Sequence, residues 1–228
     1  MREVKPMAVI TISRQIYSDG SYIGEKTAQA LGYHFAGKNT IEKVFLEYGL
    51  FEFKKVYEST EGFWSRFEDM RATTIEFLKQ VILALASHGN MVIVGRGAFA
   101  VLAGFADVLN VWVQAPFDIR VKRAMKGEKM PDLAKAEEFL RESDRARDAF
   151  VESFYNVRLK DAMPRAFDLA INTGKVSPET AIVWLVDAHK ALKEREKASE
   201  PTTSTIVVEP DLASTVSEVL GCHLVHES

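Results

Sequence analysis

The sequence predicts a three-layer α/β/α fold around a five-stranded parallel sheet, and three observations carry that reading. Short β-branched apolar runs recur at residues 7–12 (MAVITI), 91–94 (MVIV), 108–113 (VLNVWV) and 167–171 (FDLAI). These runs lack a sustained alternation of apolar and polar residues, the mark of strands covered on both faces. Between them lie stretches with apolar residues every three or four positions, and strands that take turns with helices build parallel sheets with a helical layer on each side.

Taken in order, the first strand at 7–12 leads through a polar turn into a helix marked by Ile23, Thr27, Ala30 and Leu31. Tyr33 to Phe35 supplies a short fifth strand. The next segment carries Phe51, Phe53, Phe63, Trp64 and Phe67, aromatics that either pack a small helical lobe or stack on a flat ligand. From Phe67 the positions Met70, Thr74, Ile75, Leu78, Val81, Ile82 and Leu85 mark an amphipathic helix that Gly89 ends. MVIV then runs into Gly95, and the strand at 108–113 ends before Ala115 and Pro116. A long charged helix spans Asp132 to about Tyr155, and residues 120–147 hold nine Lys or Arg against six Asp or Glu, a basic stretch in an otherwise slightly acidic chain. The strand at 167–171 ends at Asn172 and Thr173, and SPET at 177–180 starts a helix with Ser177 as N-cap and Pro178 in its first turn.

These elements make one main domain over residues 1–194. A charged, then Pro/Ser/Thr-rich linker follows at 195–204. Residues 205–228 read as a βαβ-like extension: a strand (TIVVE), a helix opened by Pro210 and Asp211, and a last strand (HLVHE). The extension has four acidic residues and no Lys or Arg, and it is too small to fold alone. It is expected to pack on the main domain or on a second copy as a homodimer contact.

Composition narrows the function classes. With 47% hydrophobic and 27% charged residues and a net charge of −3, the 228-residue chain matches no disordered, collagen-like or disulfide-scaffold class. The single cysteine, Cys222, has no partner for an intrachain bridge, so a reducing, cytoplasmic compartment is expected. No apolar stretch approaches the roughly 20 residues of a membrane span, so neither leader nor anchor is expected. Nor does the overall charge suggest a nucleic-acid or membrane surface. The histidines at 34, 88, 189, 223 and 226 show no metal-ligand spacing, and no metal site is assigned. Ser143 and Ser153 sit in no nucleophile turn, which leaves hydrolase chemistry without support.

The loop after the first strand, Ser13 to Gly24, stands where nucleotide-binding α/β proteins hold phosphate, because a helix N-terminus offers unpaired N–H groups and the positive end of its dipole. The pattern G-x-x-x-x-G-K-[ST] is missing: Ser21 follows Gly20, and no lysine lies between Lys5 and Lys26. On spacing alone the loop is equally a polar strand-to-helix connection.

A wider pattern adds to this. ITISRQ, DGSYIGEKTAQALGYHF, VIVGRGAFAVLAGFADVLNVWVQAPFDIRVKRAM, ESDRARDAFVESFYN and FDLAINTGKVSPETAI resemble, in order and spacing, the cytidylate kinase-like family of P-loop kinases, from about residue 8 to 190. The resemblance implies the P-loop NTPase/nucleoside monophosphate kinase-like fold, an acceptor-binding insert at about 36–66 and a lid at about 122–150. It implies phosphoryl transfer from ATP, with Mg²⁺, to a nucleoside monophosphate, CMP or dCMP foremost. Ser18, Asp19, Gly20 and Ser21 would hold the donor phosphates, with Arg14, Arg120 and Arg123 as neighbouring cations. Arg96 and Gly97, matching the GR and the next position of a GRD motif, would meet the acceptor. Arg141, Arg145 and Arg147 would close on the transferring phosphoryl group, Arg145 and Arg147 above all, with Asp144 orienting them. The competing reading of these arginines is a solvated helix with local ion pairs, such as Arg141 with Glu137 or Glu138.

The chain departs from that family in three places. A G-S-G-G run is replaced by Tyr17, Ser18, Asp19 and Gly20. A carboxylate about 5 Å from a phosphate costs about 3 kcal/mol at an effective dielectric near 20, so Asp19 must hold a metal, point away or block the site. Ala36 and Gly37 stand where relatives carry Tyr-Asp, and Gly97 stands where they carry aspartate. The rival expectations are therefore a nucleotide-binding or regulatory protein that keeps the fold without turnover, and an interaction protein whose tail dimerises.

Overall fold

A computed structural model describes residues 8–49, 68–127, 132–195 and 200–224. Five parallel strands, β1 (Val9–Arg14), β2 (His34–Ala36), β3 (Met91–Val94), β4 (Val108–Gln114) and β5 (Leu169–Asn172), form one sheet in the order β2-β3-β1-β4-β5. Val9 to Ile12 pair with Met91 to Val94 on one side of β1, and Val9 to Arg14 with Val108 to Val113 on the other. The helices are α1 (Gly20–Leu31), α2 (Lys38–Glu47), α3 (Glu68–His88), α4 (Ala98–Val101), α5 (Phe117–Gly127), α6 (Leu133–Tyr155), α7 (Leu159–Ala166), α8 (Pro178–Glu194) and α9 (Pro210–Leu224).

The strands lack polar alternation because both faces are covered. On β3, Met91 and Ile93 join the core beneath α2 and α3, while Val92 and Val94 join the opposite core beneath α1 and α8. Ile10 and Ile12 point to the α1/α8 side and Val9 to the other. The expected caps form: Asp132 accepts from the backbone N–H groups of Ala134 and Lys135 at the start of α6, and the Ser177 hydroxyl accepts from Thr180 N–H at the start of α8. Each satisfies donors that a helix start would otherwise leave bare. The strand ends shift by one or two residues from the sequence expectation; β1, for example, extends to Arg14. The Phe51, Phe53, Phe63, Trp64 and Phe67 cluster, and most of the expected acceptor insert, lie outside the described residues.

The extension differs from the βαβ expectation. Residues 203–205 form a single 3-10 turn, residues 206–209 join no strand, and α9 continues through His223 and Leu224, where the last strand was expected to begin. The physical reason is visible at Ile206 to Val208. The period of two is present, with Ile206 and Val208 turned inward and Val207 outward, but the segment lies over a helical layer and not along a sheet edge. Leu212, Val216, Val219 and Leu220 of α9 are buried against α2 and α3, each contributing about 1.5–3 kcal/mol of apolar burial. The extension thus packs on the main domain, one of the two placements expected for it.

The segment read as a linker is anchored at one point. Asp107, fully buried, accepts from the Thr203 N–H at 2.8 Å and the Thr203 hydroxyl at 2.6 Å, and Ala106 N–H donates to the Pro201 carbonyl. No helix among the described residues is long and apolar enough to cross a membrane. Asp107→Ala leaves two buried donors unsatisfied and is expected to cost about 2–3 kcal/mol. Urea unfolding followed by circular dichroism checks this, and an unchanged midpoint would show that the tail is held by α9 alone.

Candidate functional site

The C-terminal ends of β1, β3 and β4 open on one cleft. At the β1–α1 corner the chain passes through Tyr17 (φ 57°) and Asp19 (φ 62°), two non-glycine residues in the left-handed region. That conformation costs roughly 1–2 kcal/mol per residue and persists only where neighbours fix it. The neighbours are specific. Ser18 is fully buried and its hydroxyl faces the carbonyls of Gln15 (2.8 Å) and Val113 (3.2 Å). The Thr173 hydroxyl donates to the Ser18 carbonyl, and Arg123 donates to the Tyr17 carbonyl and to the Thr173 hydroxyl and carbonyl. The Asp19 carboxylate meets Arg123 at 3.0 Å, and the Tyr17 ring packs towards Phe139 of α6.

Asp19 and Tyr17 are each held by a neighbour, and both still line the corner cavity. Asp19 provides no side-chain cap for α1, whose first turn faces a cavity of about 540 Å³ lined by Arg14, Gly20, Ser21, Ser143 and Arg147 among others. Ser18 is buried in this corner, and Arg123 and Asp19 are paired with each other there. Arg14, Asp19, Gly20 and Ser21 border the cavity together.

Arg14, the last residue of β1, is the hub. Its Nε donates to the Ser21 hydroxyl at 3.2 Å, and its side chain lines three adjoining cavities. Burial, and secondly the charge of Arg147, lowers its pKa to about 10. Gly95 lies so close to the Arg14 guanidinium that any Cβ there would collide with Nη1.

Across the cleft, Gly95 (φ 82°), Arg96 (φ 58°) and Gly97 (φ 71°) form a left-handed turn between β3 and α4. Arg96 pairs with Glu42 of α2 at 3.2 Å, and Lys38 approaches the same carboxylate at 3.6 Å. Burial pulls the Arg96 pKa down to about 10, with Glu42 opposing and Arg14 adding to the fall. The Tyr155 hydroxyl donates to the Arg96 carbonyl at 2.5 Å, and a side chain at Gly97 would overlap the Tyr155 ring. A cavity of about 290 Å³ lies here, lined by Arg14, Lys38, Arg96 and Arg147 together with Phe99, Trp112, Phe150 and Leu159.

The lid arginines separate into three kinds. Arg120 is buried and makes a two-pronged pair with Asp144 (3.2 and 2.9 Å), so it is a fixed strut. Arg147 donates to the Oδ1 of that carboxylate at 2.9 Å, sharing it with Arg120, and lines two of the cavities. Arg141 and Arg145 are exposed and line neither; Arg141 lies over the Phe117 ring and 3.7 Å from Glu137, the local-pair alternative for this residue. Of the residues the sequence singled out, Arg14, Gly20, Ser21, Arg96, Gly97 and Arg147 converge on the cleft. Lys38, Glu42, Tyr155 and Thr173 join the site without having been singled out. Only Gly97 carried a trace of this, since a glycine where relatives have aspartate calls for something else in that space.

Carboxylates are sparse on the cleft walls. Among the described residues no group of three His, Cys, Asp or Glu side chains could hold a metal ion. Asp19 is paired with Arg123 through one carboxylate oxygen, and Asp19, Ser21 and Ser143 line the same corner cavity.

Comparison with known proteins adds the following. The chain matches the model of the cytidylate kinase-like family over residues 9–175. Among solved structures, an uncharacterized protein from Eubacterium ventriosum ATCC 27560 superposes with a TM-score of 0.62 at 21% identity, over 82% of this chain and 99% of that one. Shikimate kinase from Acinetobacter baumannii in complex with shikimate gives a TM-score of 0.48 at 15% identity, over 84% and 97% of the two chains. Shikimate kinase from Bacteroides thetaiotaomicron gives 0.45 at 14%, over 81% and 99%. No curated protein gives a significant match. At these identities the structural likeness is one of fold.

A depressed arginine pKa has a definite sign. The charged guanidinium is less favourable folded than unfolded, so Arg14 costs stability at all pH values up to about 10, and the cost fades only above that. An anion in the cleft would offset that cost by favouring the charged guanidinium. Inorganic phosphate is expected to raise the melting temperature at neutral pH, and Arg14→Met to abolish most of that rise without lowering the phosphate-free value. Differential scanning fluorimetry across a phosphate series checks both. An equal rise in the variant would show that the anion binds elsewhere.

Proposed function

The chain belongs to the cytidylate kinase-like family, and on that premise we propose that it is a nucleotide kinase, transferring a phosphoryl group from ATP to a nucleoside monophosphate, with CMP and dCMP the first acceptors to test. The supporting observation is the cleft itself: Arg14, Arg96 and Arg147 surround one space between the first-turn backbone of α1 and the Gly95–Gly97 turn.

Each group has a task in this reading. The α1 backbone and Ser21 receive the donor phosphates, and Arg14 replaces the missing lysine between donor and acceptor. Arg96 and Lys38 receive the acceptor anion. Arg147, already oriented by Asp144, faces the transferring group, where a pre-set guanidinium stabilises charge without reorganising during the reaction. No general base is required, since phosphoryl transfer depends chiefly on alignment and charge neutralisation. Magnesium, when bound with ATP, neutralises phosphate oxygens, and Ser21 is the side chain placed to hold it beside phosphate and water ligands. A soluble nucleotide pool as substrate accords with a cytoplasmic location.

The reading assigns Arg141 and Arg145 no contact with the reacting groups. In a coupled diphosphate-formation assay with ATP, magnesium and a panel of monophosphates, Arg147→Ala is expected to lower kcat by about 10²–10³-fold. Arg141→Ala and Arg145→Ala, both surface changes, are expected to stay within about threefold. Wild-type turnover no higher than that of Arg147→Ala on every acceptor removes the kinase reading. Calorimetric binding of CMP without turnover would then favour the nucleotide-binding alternative.

A further inference from the structure

Tyr155 ends the lid helix, yet it touches the acceptor turn. Its hydroxyl donates to the Arg96 carbonyl, and its ring fills the volume that a side chain at position 97 would need. The aspartate of the related GRD motif is therefore replaced here by a ring arriving from another element. Gly95 is bound by the same logic on the other side, where the Arg14 guanidinium takes its side-chain space. The turn is wedged between Arg14 and Tyr155.

Arg96 between these glycines adopts a left-handed backbone, φ 58°, which a side-chain-bearing residue keeps only when contacts over-determine it. Two contacts do so: Tyr155 on its carbonyl and Glu42 on its guanidinium. Arg147, Phe150 and Val151 of α6 line the same cavity as Arg96, and Tyr155 follows on the same helix two turns beyond Arg147. One rigid element thus carries both the arginine facing the donor loop and the phenol gripping the acceptor turn.

We propose that Tyr155 is the positioning residue for Arg96, fixing the left-handed Gly95–Gly97 turn so that the acceptor's anionic group meets a pre-aimed guanidinium. The inference rests on Arg96 as the acceptor-binding residue. Burial raises the Tyr155 pKa well above the ordinary phenol value, so the hydroxyl keeps the proton it donates.

Tyr155→Phe keeps the ring and removes the donor. Titrated by calorimetry against the full-length protein, CMP is expected to bind about five- to tenfold more weakly to this variant, the size of one lost hydrogen bond. KM for CMP should rise in parallel, while kcat and KM for ATP stay within about twofold. Unchanged CMP affinity in Tyr155→Phe overturns the proposal. Gly97→Ala reads the same contact from the opposite side, by pushing on the ring. It is expected to weaken CMP at least as much in the wild-type background and less in a Tyr155→Ala background; strictly additive effects overturn the proposal. A wild-type protein that binds neither CMP nor inorganic phosphate also overturns it. A protein that binds CMP, loses affinity in Tyr155→Phe and forms no diphosphate would remove the kinase reading and leave the positioning role standing.

Discussion

The organisation of this molecule depends on holding like charges together. Arg14, Lys38, Arg96 and Arg147 line one cavity. Two carboxylates restrain them: Glu42 between Lys38 and Arg96, and Asp144 between Arg120 and Arg147. Arg14 has only the Ser21 hydroxyl as a side-chain partner among the described residues. Removing a guanidinium from water and setting it beside others is unfavourable, and both Arg14 and Arg96 show it in their lowered pKa values. A polyanion bound there would relieve an arrangement of this kind.

The framework around that cleft fixes the loop after β1. Arg123 pairs with Asp19, and the α5/α6 apolar cluster takes Tyr17. Thr173, at the end of β5, ties the Ser18 carbonyl and Arg123 into the same knot. The arginines of the lid thus divide their labour: Arg120 and Arg123 are structural, and Arg147 faces the space they shape. Charge alone could not have sorted them, because the sequence presents all of them in one basic stretch.

The tail beyond the family match belongs to the same economy of restraint. Thr203 pins it to Asp107 at the start of β4, and α9 covers α2 and α3. The helix that carries Lys38 and Glu42 is therefore supported from behind by the extension, which links a segment outside the matched region to the acceptor side of the cleft.

The sequence by itself determined the sheet and its layers. Doubly buried strands have no polar alternation, helix starts such as Asp132 and Ser177 advertise their caps, and both signals are local. It also drew attention to the corner after β1 and brought Arg14, Arg96 and Arg147 into view. What the tertiary structure decided was direction. Whether Asp19 faces ligand or Arg123, whether Arg145 faces solvent or cleft, and what occupies the space beside Gly97 depend on residues 59 to 155 positions away, as with Tyr155 over Arg96 and Thr173 over Ser18. The tail shows the same division: Ile206 to Val208 carry a strand-like period of two, but only the fold determines whether an extended segment meets a sheet edge or a helical layer. Periodicity records which side of an element is buried, and the partner on that side is fixed only when the chain closes on itself.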